Sequence, residues 1–372
     1  PGQSDLSIDV SYPPADTSNM NISIDTTLNF SPPVEANETF FYVEDNIKFT
    51  NRLKANIGIH IGIYNSINQR TVANQFIDTD ISLEPRLSVR YLLSDTWSAK
   101  TSYAKMRQNI HLLSNSSVGF PSDLWLPAVN AAPSQNSEQI AASINTELLN
   151  GEIEISLEGY HKTMNNLITY KAGYSNLEST ESWENSIETG GEGKSYGFEL
   201  FIQKQRGKTT GWIGYTLSWS SRKFDNLNQG NWYPYKYDRR NDLSIVFNHK
   251  FNDKWDCGIT WVFGTGNAIT FPRSTYFSTL QSGRGDNFYV WNIESYGDRN
   301  SVRLPSYHRL DFGVNRNSQK KNYKATWSFG AYNVYNRKNP FFAYLAYQNT
   351  RRVAKQVSLF PIIPSVSYRI QL

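Results

Sequence analysis

The chain has 372 residues and a single cysteine, Cys257, which excludes a disulfide framework and a cysteine-based metal site. Its five histidines, His60, His111, His161, His249 and His308, are scattered with no pair at ligand spacing, so no metal site is expected. No apolar run approaches the roughly 18 residues of a membrane helix, which excludes a helical membrane protein but not a membrane β-barrel, whose lumen face and loops are polar. Charge of one sign is also lacking. The net charge is +4 with both signs mixed, so no nucleic-acid partner is implied. The densest basic spots, Lys320-Lys321 and Arg351-Arg352, read as solvated loops.

Enzyme signatures are equally sparse. GEGKS (Gly191–Ser195) has Glu188 where the first glycine of a phosphate loop should stand, and GTGNAI (Gly264–Ile269) lacks the third glycine of a dinucleotide fingerprint. Glu152, Glu154 and Glu158 could suggest paired acid–base carboxylates, yet on one face of an alternating strand they read better as a polar lumen wall. No catalytic residue and no cofactor is expected.

What is abundant is aromatic residues, 14% of the chain, set in an alternation of period two. Lys194–Ser221 shows it best. Tyr196, Phe198, Leu200 and Ile202 share one strand face, and Ser195, Gly197, Glu199 and Gln203 the other, with Phe201 as an apolar exception. After a polar turn at Arg206–Lys208 the chain returns with Ile213, Tyr215, Leu217 and Trp219 on one face and Gly214, Thr216 and Ser218 opposite, Trp212 being the second exception. A period of two is β structure, and each arm reaches the roughly 9–11 residues of a tilted membrane strand.

In chain order, two interrupted strands are read between Asp5 and Phe30, then one over Phe40–Phe49. The cleanest alternation follows: Ile57, Ile59, Ile61 and Ile63 against Asn56, Gly58, His60 and Gly62. Further strands are predicted over Asp80–Leu93, Trp97–Lys105, Glu138–Leu149, Glu152–Tyr160, the two arms above, Asp238–Phe251, Trp255–Phe263, His308–Asn315, Lys324–Tyr335 and within Val353–Leu372. Long loops are predicted at Met106–Gln135, Lys162–Gly190, Arg222–Tyr237, Gly264–Tyr307 and Asn336–Arg352. Short turns alternate with long loops, as in outer-membrane barrels and unlike soluble sandwiches. The count is about fifteen strands; bacterial single-chain barrels have even numbers, so either one strand escapes the reading or the chain lies inside a larger barrel.

Five stretches give the chain a family likeness: Ser82–Met106, Glu188–Ser220, Tyr233–Phe251, Trp261–Pro272 and Trp327–Phe342. From about Phe40 onward the chain resembles the C-terminal barrel of TonB-dependent outer-membrane receptors. The resemblance implies an all-β, antiparallel transmembrane barrel of about 22 strands whose wide lumen is filled by a plug. It implies that 1–372 is barrel only, with about seven strands and the plug preceding it. The expected partners are TonB (through the absent N-terminal part), the plug domain and outer-membrane lipid, with a surface lipoprotein a further candidate. The expected activity is import of a scarce nutrient, such as a glycan, siderophore, vitamin or peptide; the alternative is a passive channel.

Substrate binding is expected on outer-loop aromatics, Trp125, Trp183, Trp232, Tyr233, Tyr235 and Trp291, whose faces suit stacking. The competing reading is interfacial girdle or loop packing. Plug or lumen contact is expected for Glu84, Arg86, Arg90, Asp238 and Arg240, against mutual pairing between neighbouring strands.

Overall fold

A computed structural model describes 35–68, 76–114, 123–172, 183–281, 288–348 and 351–372; the two strands expected between Asp5 and Phe30 lie outside these residues. Thirteen strands follow one another in a single antiparallel sheet: β1 (Glu35–Lys48), β2 (Leu53–Asn68), β3 (Phe76–Leu92), β4 (Trp97–Gln108), β5 (Gln135–Leu148), β6 (Ile153–Tyr170), β7 (Ile187–Lys204), β8 (Thr209–Lys223), β9 (Asn241–Lys250), β10 (Trp255–Gly264), β11 (Tyr307–Gln319), β12 (Lys324–Tyr332) and β13 (Ile363–Gln371). Tyr233–Pro234 adds a short fourteenth beside β8, opposite Ser221 and Arg222.

The register carries the alternation across the sheet. Ile155, Ile202, Ile213, Ile245, Trp261 and Leu310 stand side by side on six neighbouring strands. On the opposite face Glu158, Glu199, Thr216, Asp242 and Gly264 form a polar row. A soluble sheet would bury the apolar row; here Ile57, Ile59, Ile61, Leu157, Phe198 and Ile213 are exposed, while Gly62, Tyr64 and Ser66 on the opposite face of β2 are buried. The exposed face is the one that lipid covers in a membrane barrel.

Aromatics mark both ends of that face. Toward the short turns lie His249 and Phe251 (4.7 Å), Trp327 and Tyr368 (4.6 Å), and Trp255 with Arg316 over its ring (5.8 Å). Toward the long loops, His161, Tyr196 and Trp219 stack in series, and Trp261 donates to the Tyr335 hydroxyl (3.2 Å). Eight residues of β10 separate Trp255 from Phe263, about 27 Å along a strand. At a tilt of about 40° that spans roughly 21 Å, close to the ~25 Å apolar band of outer-membrane barrels.

The turns at 49–52, 93–96, 149–152, 205–208, 251–254 and 320–323 are short and lie at one end of the sheet, and the long connections lie at the other. Several predicted loops are partly strand. Lys162–Tyr170 extends β6 and Ile187–Gly190 opens β7, so the loop expected over Lys162–Gly190 begins and ends in strand. The Gly264–Tyr307 connection holds a hairpin, Pro272–Gln281 with Phe288–Tyr296. The stretch expected to hold one last strand divides: Arg351–Ser358 pairs with Pro340–Gln348 in a loop hairpin, and Ile363–Gln371 alone joins the sheet.

Candidate functional site: the loop end of the barrel

The connection between β4 and β5 crosses the mouth. Its hairpin, Ile110–Ser114 with Asp123–Pro127, is tied to the inner face of β2 by the Tyr64 hydroxyl, which donates to the Ala128 carbonyl (2.9 Å), and to β1 by Asn109 donating to Glu38. On the far side, Asp123 accepts from Lys236 (3.3 Å) and Tyr237 (2.6 Å). Between these anchors Leu113, Leu126, Val129 and Ala132 pack on Ile168, Tyr170 and Ile187. His111 is fully buried in this segment. Its Nε2 donates to the Ala132 carbonyl (3.0 Å) and its Nδ1 accepts from the Gln135 amide (2.7 Å), so the neutral ring satisfies both partners. Burial pushes this histidine below its ordinary pKa, against the pull of the Ala132 carbonyl.

A second apolar cluster, Leu167, Phe224, Leu227 and Tyr233, lines the mouth on the β6–β8 side. Gly191 and Gly193 permit it: a Cβ at Gly191 would stand 2.3 Å from the Phe224 ring and one at Gly193 2.7 Å from Leu167. The glycines that resembled a phosphate loop are thus strand positions crossed closely by side chains. Gly266 of the second glycine motif plays a similar part, since a Cβ there would meet the Leu304 carbonyl at 1.8 Å.

Among the described side chains, the aromatics singled out in the sequence, Trp125, Trp232, Tyr233 and Tyr235, do not form one surface. Trp125 is 63% exposed, opposite Leu112 in the hairpin across the mouth. Trp232 is 40% exposed, with Lys194 Nζ 4.2 Å from its ring centre. Tyr235 carries the Arg222 guanidinium over its ring at 3.6 Å and meets Tyr237 edge-on. Tyr233 is 3% exposed and packs against Phe224. Trp183 opens a 3-10 turn, Trp183–Ser186, and Trp291 lies in the outer hairpin opposite Ser278.

The charged residues divide similarly. Glu84 and Arg86 share the inner face of β3; the Glu84 carboxylate accepts from Ser82 (2.9 Å) and lies 3.7 Å from Arg86. Arg90 stands between Lys54 and Lys100 on neighbouring strands, a row of three cations that like-charge repulsion disfavours unless something faces it. Asp238 is 1% exposed and belongs to the loop core. It accepts from the Ser220 amide (2.6 Å), from Arg240 (3.3 Å) and from Arg303, while Arg240 also lies over Trp219 at 4.5 Å.

Sequence reasoning missed Arg222, Arg299, Arg303, Tyr170 and Asp123. They come from two connections and two strand ends, Arg299 and Arg303 sharing one connection, and no local pattern relates them.

The family described as TonB dependent receptor-like, β-barrel, matches residues 3–336. No curated protein matches the chain by sequence. Among solved structures, the ferripyoverdine receptor of the outer membrane of Pseudomonas aeruginosa is similar with a TM-score of 0.54 at 15% identity, over 90% of this chain and 38% of that one. The ferric yersiniabactin uptake receptor FyuA from Yersinia pestis gives 0.57 at 14%, over 91% and 46%. The ferric-catecholate import receptor Fiu from K12 E. coli gives 0.57 at 12%, over 90% and 44%. The chain therefore spans less than half the length of these receptors while sharing their fold. By that family match and by the thirteen-strand sheet with its exposed apolar face, the chain belongs to the TonB-dependent receptor β-barrel family.

Proposed function

We propose that the chain is the C-terminal barrel of an outer-membrane transporter that imports a scarce solute at the expense of TonB and the proton gradient. Solute binds at the loop end and on a plug, and nothing in the barrel performs covalent chemistry. The observation that carries this reading is the mouth itself. A folded segment, pinned by Tyr64 on one side and by Lys236 and Tyr237 on the other, crosses a lumen whose wall carries a row of cations, Lys54, Arg90 and Lys100, with Asp95, Glu147 and Glu154 around the last two. A wide barrel of this family has to be filled, and such a wall suits a hydrated protein plug.

The sheet supports a larger barrel as well. Among the described residues neither β1 nor β13 pairs at its outer edge. Lipid cannot satisfy the exposed backbone groups, and each costs several kcal/mol unpaired. About seven further strands, ahead of the two expected between Asp5 and Phe30, would close the wall at about 22, and a plug preceded by a TonB-contacting segment would fill it.

The solutes to be screened are glycans, siderophores, vitamins and peptides; the solved receptors of this fold described above are ferric-chelate receptors, which puts siderophores first in the screen. The test is uptake by cells expressing the full gene, with and without TonB and with the proton gradient collapsed. Uptake should require both, and binding to the cell surface neither. Uptake indifferent to TonB would favour the passive channel.

A further inference from the structure

Two guanidiniums converge on the end of β6, and among the described residues no carboxylate pairs with either. Arg299 donates through Nη2 to Thr169 Oγ1 (3.0 Å) and to the Tyr170 carbonyl (3.2 Å), and lies over the Tyr233 ring at 5.5 Å. Arg222, from β8, reaches the Ile168 carbonyl (3.4 Å) and covers Tyr235. Arg222 and Tyr233 are also paired across the sheet, so both cations border the same phenol.

The acids around them are engaged elsewhere. Asp123 is held by Lys236 and Tyr237, and Asp238 by Arg240 and Arg303. Among the described residues no ion pair involves Arg222 or Arg299. Among the described residues, the hydroxyls of Tyr170 and Tyr233, both residues 3% exposed, and Arg299 Nε have no hydrogen-bond partner. The unsatisfied groups are thus Arg299 Nε, a donor, and two phenols that can each donate. Burying charge without a counter-charge is expensive, and buried donors without acceptors each cost free energy. Burial lowers the Arg299 guanidinium below its usual range, with Tyr233 opposing, and raises the Tyr233 phenol against the pull of Arg299 and Arg222. A single compact oxyanion supplies what is missing: negative charge, and several acceptor lone pairs for two forked donors and two hydroxyls.

We propose that Arg222 and Arg299, with the hydroxyls of Tyr170 and Tyr233, form a binding site for a compact oxyanion, a carboxylate, sulfate or phosphate group, carried by the imported solute. That assignment of the carrier rests on the import reading above, whereas the anion site itself does not.

The test uses the full-length protein in detergent, without TonB, and the probes are inorganic sulfate and inorganic phosphate with chloride at matched ionic strength. Thermal midpoint and titration calorimetry are read together. The wild type should show saturable stabilisation by sulfate or phosphate and none by chloride. Arg222→Gln and Arg299→Gln should each weaken that binding about tenfold or more, the loss of a charge-assisted hydrogen bond. Tyr233→Phe removes only the hydroxyl and should weaken it about threefold, which keeps the test alive if an arginine variant does not fold. Lys194→Gln, on the outward face, should bind as wild type does. Equal response to chloride, or variants indistinguishable from wild type, would overturn the site. TonB-independent uptake together with intact sulfate binding would refute the import reading and leave the anion site standing.

Discussion

The hydroxyl of Tyr64, on the inner face of β2, donates to the carbonyl of Ala128 at 2.9 Å and so holds the β4–β5 connection against the barrel wall. Tyr64→Phe keeps the ring and removes the donor. The variant should loosen the segment by about 1 kcal/mol with no effect on heat-modifiable migration of the barrel. Hydrogen exchange over 109–134 should rise while exchange in β2 and β3 stays as in the wild type.

The same segment should respond to acid. His111 is neutral and fully buried, and its folded pKa lies below the ordinary 6.5. Below 6.5 the unfolded segment binds more protons than the folded one, so stability is complete above 6.5 and falls as pH drops toward the folded value. Protonation also places a donor at Nδ1 against the Gln135 amide donor. Proteolysis within 109–134 should accelerate between about pH 7 and pH 5, and His111→Gln should remove most of that dependence.

The three aromatics of Trp232–Tyr235 should separate. Tyr233 is packed in the Leu167–Phe224–Leu227 cluster, so Tyr233→Ala should cost about 3–5 kcal/mol and lower the melting temperature. Trp232→Ala, at an exposed ring, should leave stability unchanged and weaken solute binding, read by titration of the imported solute. Tyr235→Ala removes the ring under Arg222 and should weaken sulfate binding more than it lowers stability.

Asp238→Asn leaves Arg240 and Arg303 without a counter-charge. Both arginines keep about a third of their side chains exposed, so the cost should fall near the low end for a broken buried pair, about 3 kcal/mol. Thermal unfolding of this variant should begin in the 224–240 and 265–306 connections, read by proteolysis before the sheet melts.

The barrel strands were legible wherever one face meets lipid and the other the lumen. β2, β7 and β8 alternate because their two environments differ. The reading stopped where that difference stops. Leu167, Ile168, Thr169 and Tyr170 at the end of β6 are all buried, so neither face is distinguishable in sequence. Just before them the pairing with β7 shifts register, and Asn166 takes a positive φ of 60°. The loop hairpins were hidden because they are packed by side chains from other connections rather than by a period of their own. Arg222 and Arg299 illustrate this: one was read as the start of a loop, the other as the middle of one, and only the fold brings both to Tyr233.

The central claim is that this sheet is a membrane wall with the odd positions of β2 toward lipid. Cys257, the single cysteine of these 372 residues, is buried, so cysteines placed singly at positions 57 to 61 can be labelled in intact outer membranes and read against the unsubstituted protein. A membrane-impermeant, water-soluble maleimide should label 58 and 60 once the lumen is opened from the loop end and spare 57, 59 and 61, which a lipid-phase reagent should label instead. Arginine at Ile59 should cost about 2–4 kcal/mol, and at His60 far less. Labelling without a period of two, or with the two sets exchanged, would contradict the membrane-wall reading or invert its register.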